Sequence, residues 1–191
     1  MQIRDLYDKY NIMPQLREHQ LRVGGIARLI TDDHDSIITA LVHDMGNIVK
    51  FSNLDPYWSK VQAKFWADYG RDEHMATNRI LRESGMGKYA DYFKEESKAY
   101  DNDSLNASYF STMSKPALLT LYGDLRVRFN GVCTVEERLK DLEDRYHYVR
   151  PERKWANAFE TYVQTLTKLD LRSINEEMVE PLFDELLTMT V

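Results

Sequence analysis

The pair His43-Asp44 follows the apolar run Ile37-Ile38-Thr39-Ala40-Leu41-Val42 without a break. An imidazole and a carboxylate at the end of such a run are costly to bury singly, so they need each other, a hydrogen-bond network or a metal ion. Two further ionisable residues lie inside helical apolar patterns. His19 falls on the stripe of Leu16, Val23, Ile26, Ala27 and Ile30, whose steps of three and four turn it toward the core. Asp124 follows Leu121 by three and Ala117 by seven, beside the apolar stripe of its own segment. His43 and Asp44 diverge by ~100° on a helix, so both reach one ion only where the helix ends, and Gly46 suits such an ending.

Taken in order, His19, His43-Asp44 and Asp124 resemble the HD-domain superfamily of metal-dependent phosphohydrolases, whose pattern is a helical His, an adjacent His-Asp pair and a distant Asp. The stretches Glu18-His19-Gln20-Leu21-Arg22-Val23 and Ala40-Leu41-Val42-His43-Asp44-Met45-Gly46 look like the family's first two ligand segments. Tyr122-Gly123-Asp124-Leu125-Arg126-Val127, continuing to Val135-Glu136-Glu137-Arg138-Leu139, looks like its last, so the resemblance spans about residues 14 to 146. It implies a ligand set of His19, His43, Asp44 and Asp124 for one divalent transition metal. Two imidazoles and two carboxylates suit Mn²⁺, Fe²⁺, Co²⁺, Ni²⁺ or Zn²⁺, and Mg²⁺ less well. The implied activity is hydrolysis of a small phosphorylated metabolite, foremost a nucleotide, by a metal-activated water.

The resemblance also directs attention to residues around the ligands. Many relatives carry another His after the His-Asp pair, which makes His74, with Glu73 beside it, the candidate for a second metal, phosphate contact or proton transfer. Members with two metals carry still more His residues, whereas the corresponding Tyr92-Phe93-Lys94-Glu95-Glu96-Ser97-Lys98-Ala99-Tyr100 has none, favouring one metal. Where the family often places Lys or Glu three positions after the paired Asp, this chain has Asn47, which can hydrogen-bond a phosphate but cannot transfer a proton at neutral pH. Acid–base duty would then fall to His74 and Glu73, and less readily to Glu18, with Asp44 catalytic as a metal ligand. Asn47, Lys50 and Ser52 follow the pair closely. Arg22 and Arg126 stand three and two positions after ligands, near enough to clamp phosphate oxygens. His34 and His147 have no such context and read as surface residues.

The elements that must hold these residues read as almost wholly helical. Apolar residues recur at helical spacing, strand-like alternation is scarce, and the 8 Gly and 5 Pro fall mostly between segments, so the fold class is all-α. Helices are predicted over 14–30, 35–45, 57–69, 72–84, 87–98, 115–129, 134–147, 152–171 and 175–188, as one domain of 1–191 with the last two helices packing on an HD-type bundle. Thr134 with Glu137 three residues on reads as a capping box. Residues 99–114 mix Asp, Asn and Ser with Tyr100, Tyr109 and Phe110, and read as a surface loop able to serve as an aromatic lid.

With 43% hydrophobic and 29% charged residues, the composition is that of an ordinary globule. The net charge of -6 argues against a polymeric nucleic-acid partner, so an anionic substrate requires a locally basic pocket. A single cysteine, Cys133, excludes an intramolecular disulfide framework and reads as a small buried apolar residue. The first residues form no apolar signal core, and no apolar stretch approaches the ~20 residues of a membrane span, so a cytoplasmic protein without a membrane partner is expected. Two alternatives stand beside hydrolysis: a di-iron oxygenase of the same superfamily, which needs more His ligands, and a non-catalytic, metal-stabilised nucleotide-binding module.

Overall fold

The computed structural model describes residues 1–100, 107–147 and 152–191. The fold is all-α apart from one small antiparallel ribbon. In chain order the helices are α1 (Ile3–Lys9), α2 (Pro14–Ile30), α3 (His34–Val42), α4 (Pro56–Tyr69), α5 (Glu73–Glu83), α6 (Gly87–Tyr100), α7 (Ala107–Phe110), α8 (Lys115–Asp124), α9 (Val135–Tyr146), α10 (Arg153–Gln164), α11 (Glu176–Val179) and α12 (Phe183–Thr188). The ribbon pairs β1 (Val127–Arg128) with β2 (Gly131–Val132).

Helix starts carry their own chemistry. Asp33, Asp55, Asp72 and Ser114 each accept a backbone N–H from the first turn of α3, α4, α5 and α8. Thr134 and Glu137 close the expected capping box on α9. Such caps contribute about 1 kcal/mol each by satisfying donors that a helix cannot satisfy internally.

Helices α2, α3 and α8 pack together at the centre, and each brings a site residue to one end. One apolar cluster joins α1, the start of α2, α3 and α4 to α6; the other joins the end of α2 to α7, α8, β1, α9 and α10. Tyr7 on α1 is fully buried and donates its hydroxyl to the Leu41 carbonyl at 2.5 Å, locking the N-terminal helix against α3. The C-terminal segments return to α2, where α11 and α12 cover its outer side.

Four boundaries differ from the predicted ones, each for a local reason. Helix α3 stops at Val42, and a 3₁₀ turn over Asn47–Lys50 carries the chain away. Helix α8 ends at Asp124 rather than 129, because β-branched Val127 and Val132 flank a tight return at Phe129-Asn130 and form the ribbon. The 152–171 stretch ends at Gln164, with Leu171–Ser173 a separate 3₁₀ turn whose start is capped by Asp170. The 175–188 stretch is split by a 3₁₀ turn at Glu180–Leu182, where Pro181 supplies no backbone N–H. Helix α1 was not anticipated at all. The possible lid over 99–114 lies in part outside the described residues, at 101–106. Phe110 is no lid: it is fully buried and packs on Trp155, Phe159 and Tyr162.

Candidate metal centre

His43 caps the C-terminal end of α3 and is buried to 3% exposure. Its Nδ1 lies 2.8 Å from the Ala40 carbonyl oxygen. A carbonyl can only accept, so Nδ1 carries the hydrogen and Nε2 keeps a free lone pair. That is the arrangement by which a second partner orients a metal-ligating imidazole. His19 comes from the middle of α2, with its ring centroid 5.3 Å from that of His43. The Nε2 atoms of both rings are buried; that of His43 has no hydrogen-bond partner, and that of His19 faces carboxylates without a well-aligned hydrogen bond.

Asp44 follows directly, with one oxygen 3.5 Å from His19 Nε2 and the other 3.7 Å from His43 Nε2. One donor atom each from His19, His43 and Asp44 fall within 4.8 Å of one another. Asp124, at the end of α8, joins through His19, its Oδ1 standing 3.2 Å from His19 Nε2. Burial alone would raise the Asp124 pKa, but His19, Arg138 and His43 outweigh it and hold the carboxyl well below the usual range. The four residues anticipated as ligands therefore meet at one end of the bundle.

Two buried polar residues and one glycine set the turn. The Asp44 N–H faces the Gln20 amide oxygen at 3.4 Å, and the Gly46 N–H donates to Thr77 Oγ1 at 2.9 Å. A Cβ on Gly46 would fall 2.5 Å from the Thr77 backbone nitrogen, so α5 approaches the ligand turn as closely as backbone allows.

The centre opens into a cavity of about 780 Å³. Asn47, Lys50, Ser52, Glu73 and His74 line it, as the sequence suggests. Lys50 Nζ stands 3.9 Å from Glu73 Oε1, and His74 Nε2 stands 4.0 Å from the same oxygen with its ring 5.5 Å from that of Phe93. Arg22 also lines the cavity, yet its guanidinium is engaged by Glu176 at 2.7 Å and by Glu18 at 3.3 Å. Glu18 itself is exposed.

Arg126 does not reach the cavity. It is fully buried and donates to the carbonyls of Cys133, Leu171 and Ile174 and to the Tyr122 hydroxyl, at 2.6 to 3.0 Å. Its role is to join the ribbon, α8 and the C-terminal segment. The cations that do line the cavity and were not anticipated are Arg128, Arg138 and Arg145. Arg138 Nη2 stands 3.7 Å from Asp124 Oδ1. Arg138, Leu142 and Arg145 occupy steps of four and three on α9, a common face that the spacing alone could have exposed. His34 and His147 lie on the surface, as expected; His34 Nε2 meets the Thr190 carbonyl oxygen at 2.9 Å.

No protein-family model, curated protein or solved structure matches this chain.

The donor set nevertheless passes a test of fit for a divalent ion. Two imidazoles with buried Nε2 atoms face the carboxylates of Asp44 and Asp124, and His43 is already held in the ligating tautomer. The Nε2 of His43 is costly to leave unmatched in a protein interior, and a cation would satisfy both rings and both carboxylates at once. No described helix is long and apolar enough to cross a membrane.

Proposed function

We propose that this chain is a metal-dependent phosphohydrolase of the HD-domain type, acting on a small phosphorylated metabolite and foremost on a nucleotide. The observation that carries the reading is the convergence of one donor atom each from His19, His43 and Asp44 within 4.8 Å of one another, on the wall of a cation-rich cavity. Bound there by His19, His43, Asp44 and Asp124, one divalent ion of the Mn²⁺, Fe²⁺, Co²⁺, Ni²⁺ or Zn²⁺ kind supplies Lewis acidity toward water and a phosphoryl oxygen.

The protein's own groups do the rest. Asn47, buried beside the ligand turn, can donate its amide hydrogens to a phosphate oxygen. Lys50, Arg128, Arg138 and Arg145 give the cavity a basic lining in a chain of net charge -6, which is what an anionic substrate requires. His74 and Glu73, together on one wall, can pass a proton to the departing oxygen.

The test is product release from phosphorylated metabolites by metal-stripped protein resupplied with Mn²⁺, Co²⁺, Ni²⁺, Fe²⁺ or Mg²⁺. Metal-dependent turnover that disappears in Asp44→Ala supports the reading, and turnover retained in that variant overturns it. A second reading is favoured by Asn47, which cannot move a proton: a metal-stabilised nucleotide-binding module, for which tight binding without turnover is the expected result. A di-iron oxygenase needs further imidazoles, and of the five His residues only His19, His43 and His74 line the cavity.

A further inference from the structure

The ribbon that interrupts the helical pattern ends in an aromatic ring held out in water. Phe129 is 82% exposed, the most exposed of the large apolar residues among those described, and it lines the same cavity as His19, His43 and Asp44. Covering an apolar side chain of this size is favourable, so a ring offered at the wall of a cavity is poised for an apolar partner.

The support beneath it is firm. Val127 is fully buried, the Cys133 N–H donates to the Arg126 carbonyl at 2.7 Å, and the Val132 N–H donates to Glu176 Oε2 at 2.8 Å. Gly131 takes φ +139°, and a Cβ there would meet that same Glu176 oxygen at 3.0 Å, so the return of the ribbon is built against the carboxylate. Phe129 is therefore displayed on an anchored arm.

Arg128 adds hydrogen-bonding capacity at the same place. It lines the cavity, its Nε is buried without a hydrogen-bond partner, and its guanidinium forms no ion pair among the described residues. The ligand it meets should thus carry acceptors near a flat apolar surface. The metal ligand Asp124 precedes Phe129 by five residues, at most about 17 Å of extended chain. A cavity of about 780 Å³ accommodates a small molecule reaching from one to the other.

We propose that the Arg128-Phe129 ribbon is the base-recognition arm of the site: Phe129 stacks on the nucleobase of a nucleoside monophosphate, and Arg128 donates to acceptors on the base, while the phosphate lies at the His19, His43 and Asp44 end. The inference deepens the phosphohydrolase reading and rests on it for the placement of the phosphate. Stacking tolerates any base, so the arm selects nucleotides over base-free sugar phosphates rather than one base over another.

The experiment compares Mn²⁺-loaded wild type, Phe129→Ala and Phe129→Trp. Calorimetry measures binding of non-hydrolysable 5′-phosphonate analogues of adenosine monophosphate and of ribose 5-phosphate, and turnover of the two natural esters is followed in parallel. In wild type the adenosine analogue binds about tenfold tighter than the ribose analogue or better, Phe129→Ala erases that preference, and Phe129→Trp keeps it. A preference that survives in Phe129→Ala, an equal loss for both analogues, or no binding of either overturns the arm. A preference lost in Phe129→Ala without turnover of either ester upholds the arm while the hydrolase reading falls. Turnover of both esters at equal efficiency, unaffected by Phe129→Ala, does the reverse.

Discussion

His19 and His43 stand ring beside ring, centroids 5.3 Å apart and planes tilted by 48°, although they come from different helices. Two imidazoles so placed repel when both are protonated, and two carboxylates, those of Asp44 and Asp124, stand 3.5 and 3.2 Å from His19 Nε2. A shared divalent cation matches the rings and the carboxylates together. Wild type is expected to gain about 2.7 kcal/mol of unfolding free energy at a metal concentration one hundred times Kd, and His19→Ala and His43→Ala to lose that gain. Thermal melts with and without Mn²⁺ or Ni²⁺ check it, and equal metal responses in all three proteins would refute the site.

Arg126→Ala should behave as a folding variant. The buried guanidinium closes three carbonyls and Tyr122, and its Nη1 lies 3.8 Å from Glu160. Removing it leaves those acceptors without their donor, a loss of about 3–5 kcal/mol. Denaturant unfolding measures this. Wild-type stability combined with weakened substrate affinity would return Arg126 to a role in binding.

Gly46→Ala should lower stability by ~1–3 kcal/mol, since the added methyl meets the Thr77 backbone rather than a yielding side-chain tip. The displacement falls on the turn that carries Asp44, so metal affinity should drop with it. Calorimetric titration of folded protein separates the two effects.

Cys133 predicts an alkaline limit. Burial pushes its thiol up to about 11, with Arg128 and Arg138 opposing the rise. The folded state thus favours the neutral thiol, and the resulting stability is fully present below the unfolded value of ~8.5 and is lost as pH climbs through about 11. Native protein at pH 8 should react slowly with iodoacetamide, and fully only after unfolding. Rapid native labelling would contradict the burial.

The central helices and the convergence of the candidate ligands on them were legible because both depend on local pattern. The stripe through His19 set its direction, and the apolar run before His43 announced a buried element that ends at a charged pair. What escaped depends on contacts distant in sequence. Arg126 lies one helical turn or less from a ligand, and nothing local reveals that Leu171 and Ile174 supply its acceptors. The ribbon did leave a trace, the Asn130-Gly131 pair between β-branched residues, but a helical periodicity carried through Val127 concealed it. Arg138 and Arg145 share one face of α9 by their spacing, but that this face lines the cavity depends on how α9 packs, which no local pattern reveals.

Glu176 ties together segments made far apart in time. One of its oxygens takes Arg22, 154 residues earlier, and the other takes the N–H of Val132, 44 residues earlier. Contacts of such separation form late, after closure entropy has been met by nearer ones. During synthesis the four candidate ligands are all made by position 124, whereas the carboxylate that braces the ribbon bearing Phe129 is made only at residue 176. The candidate ligands thus precede, in the growing chain, the residue that steadies the wall facing them.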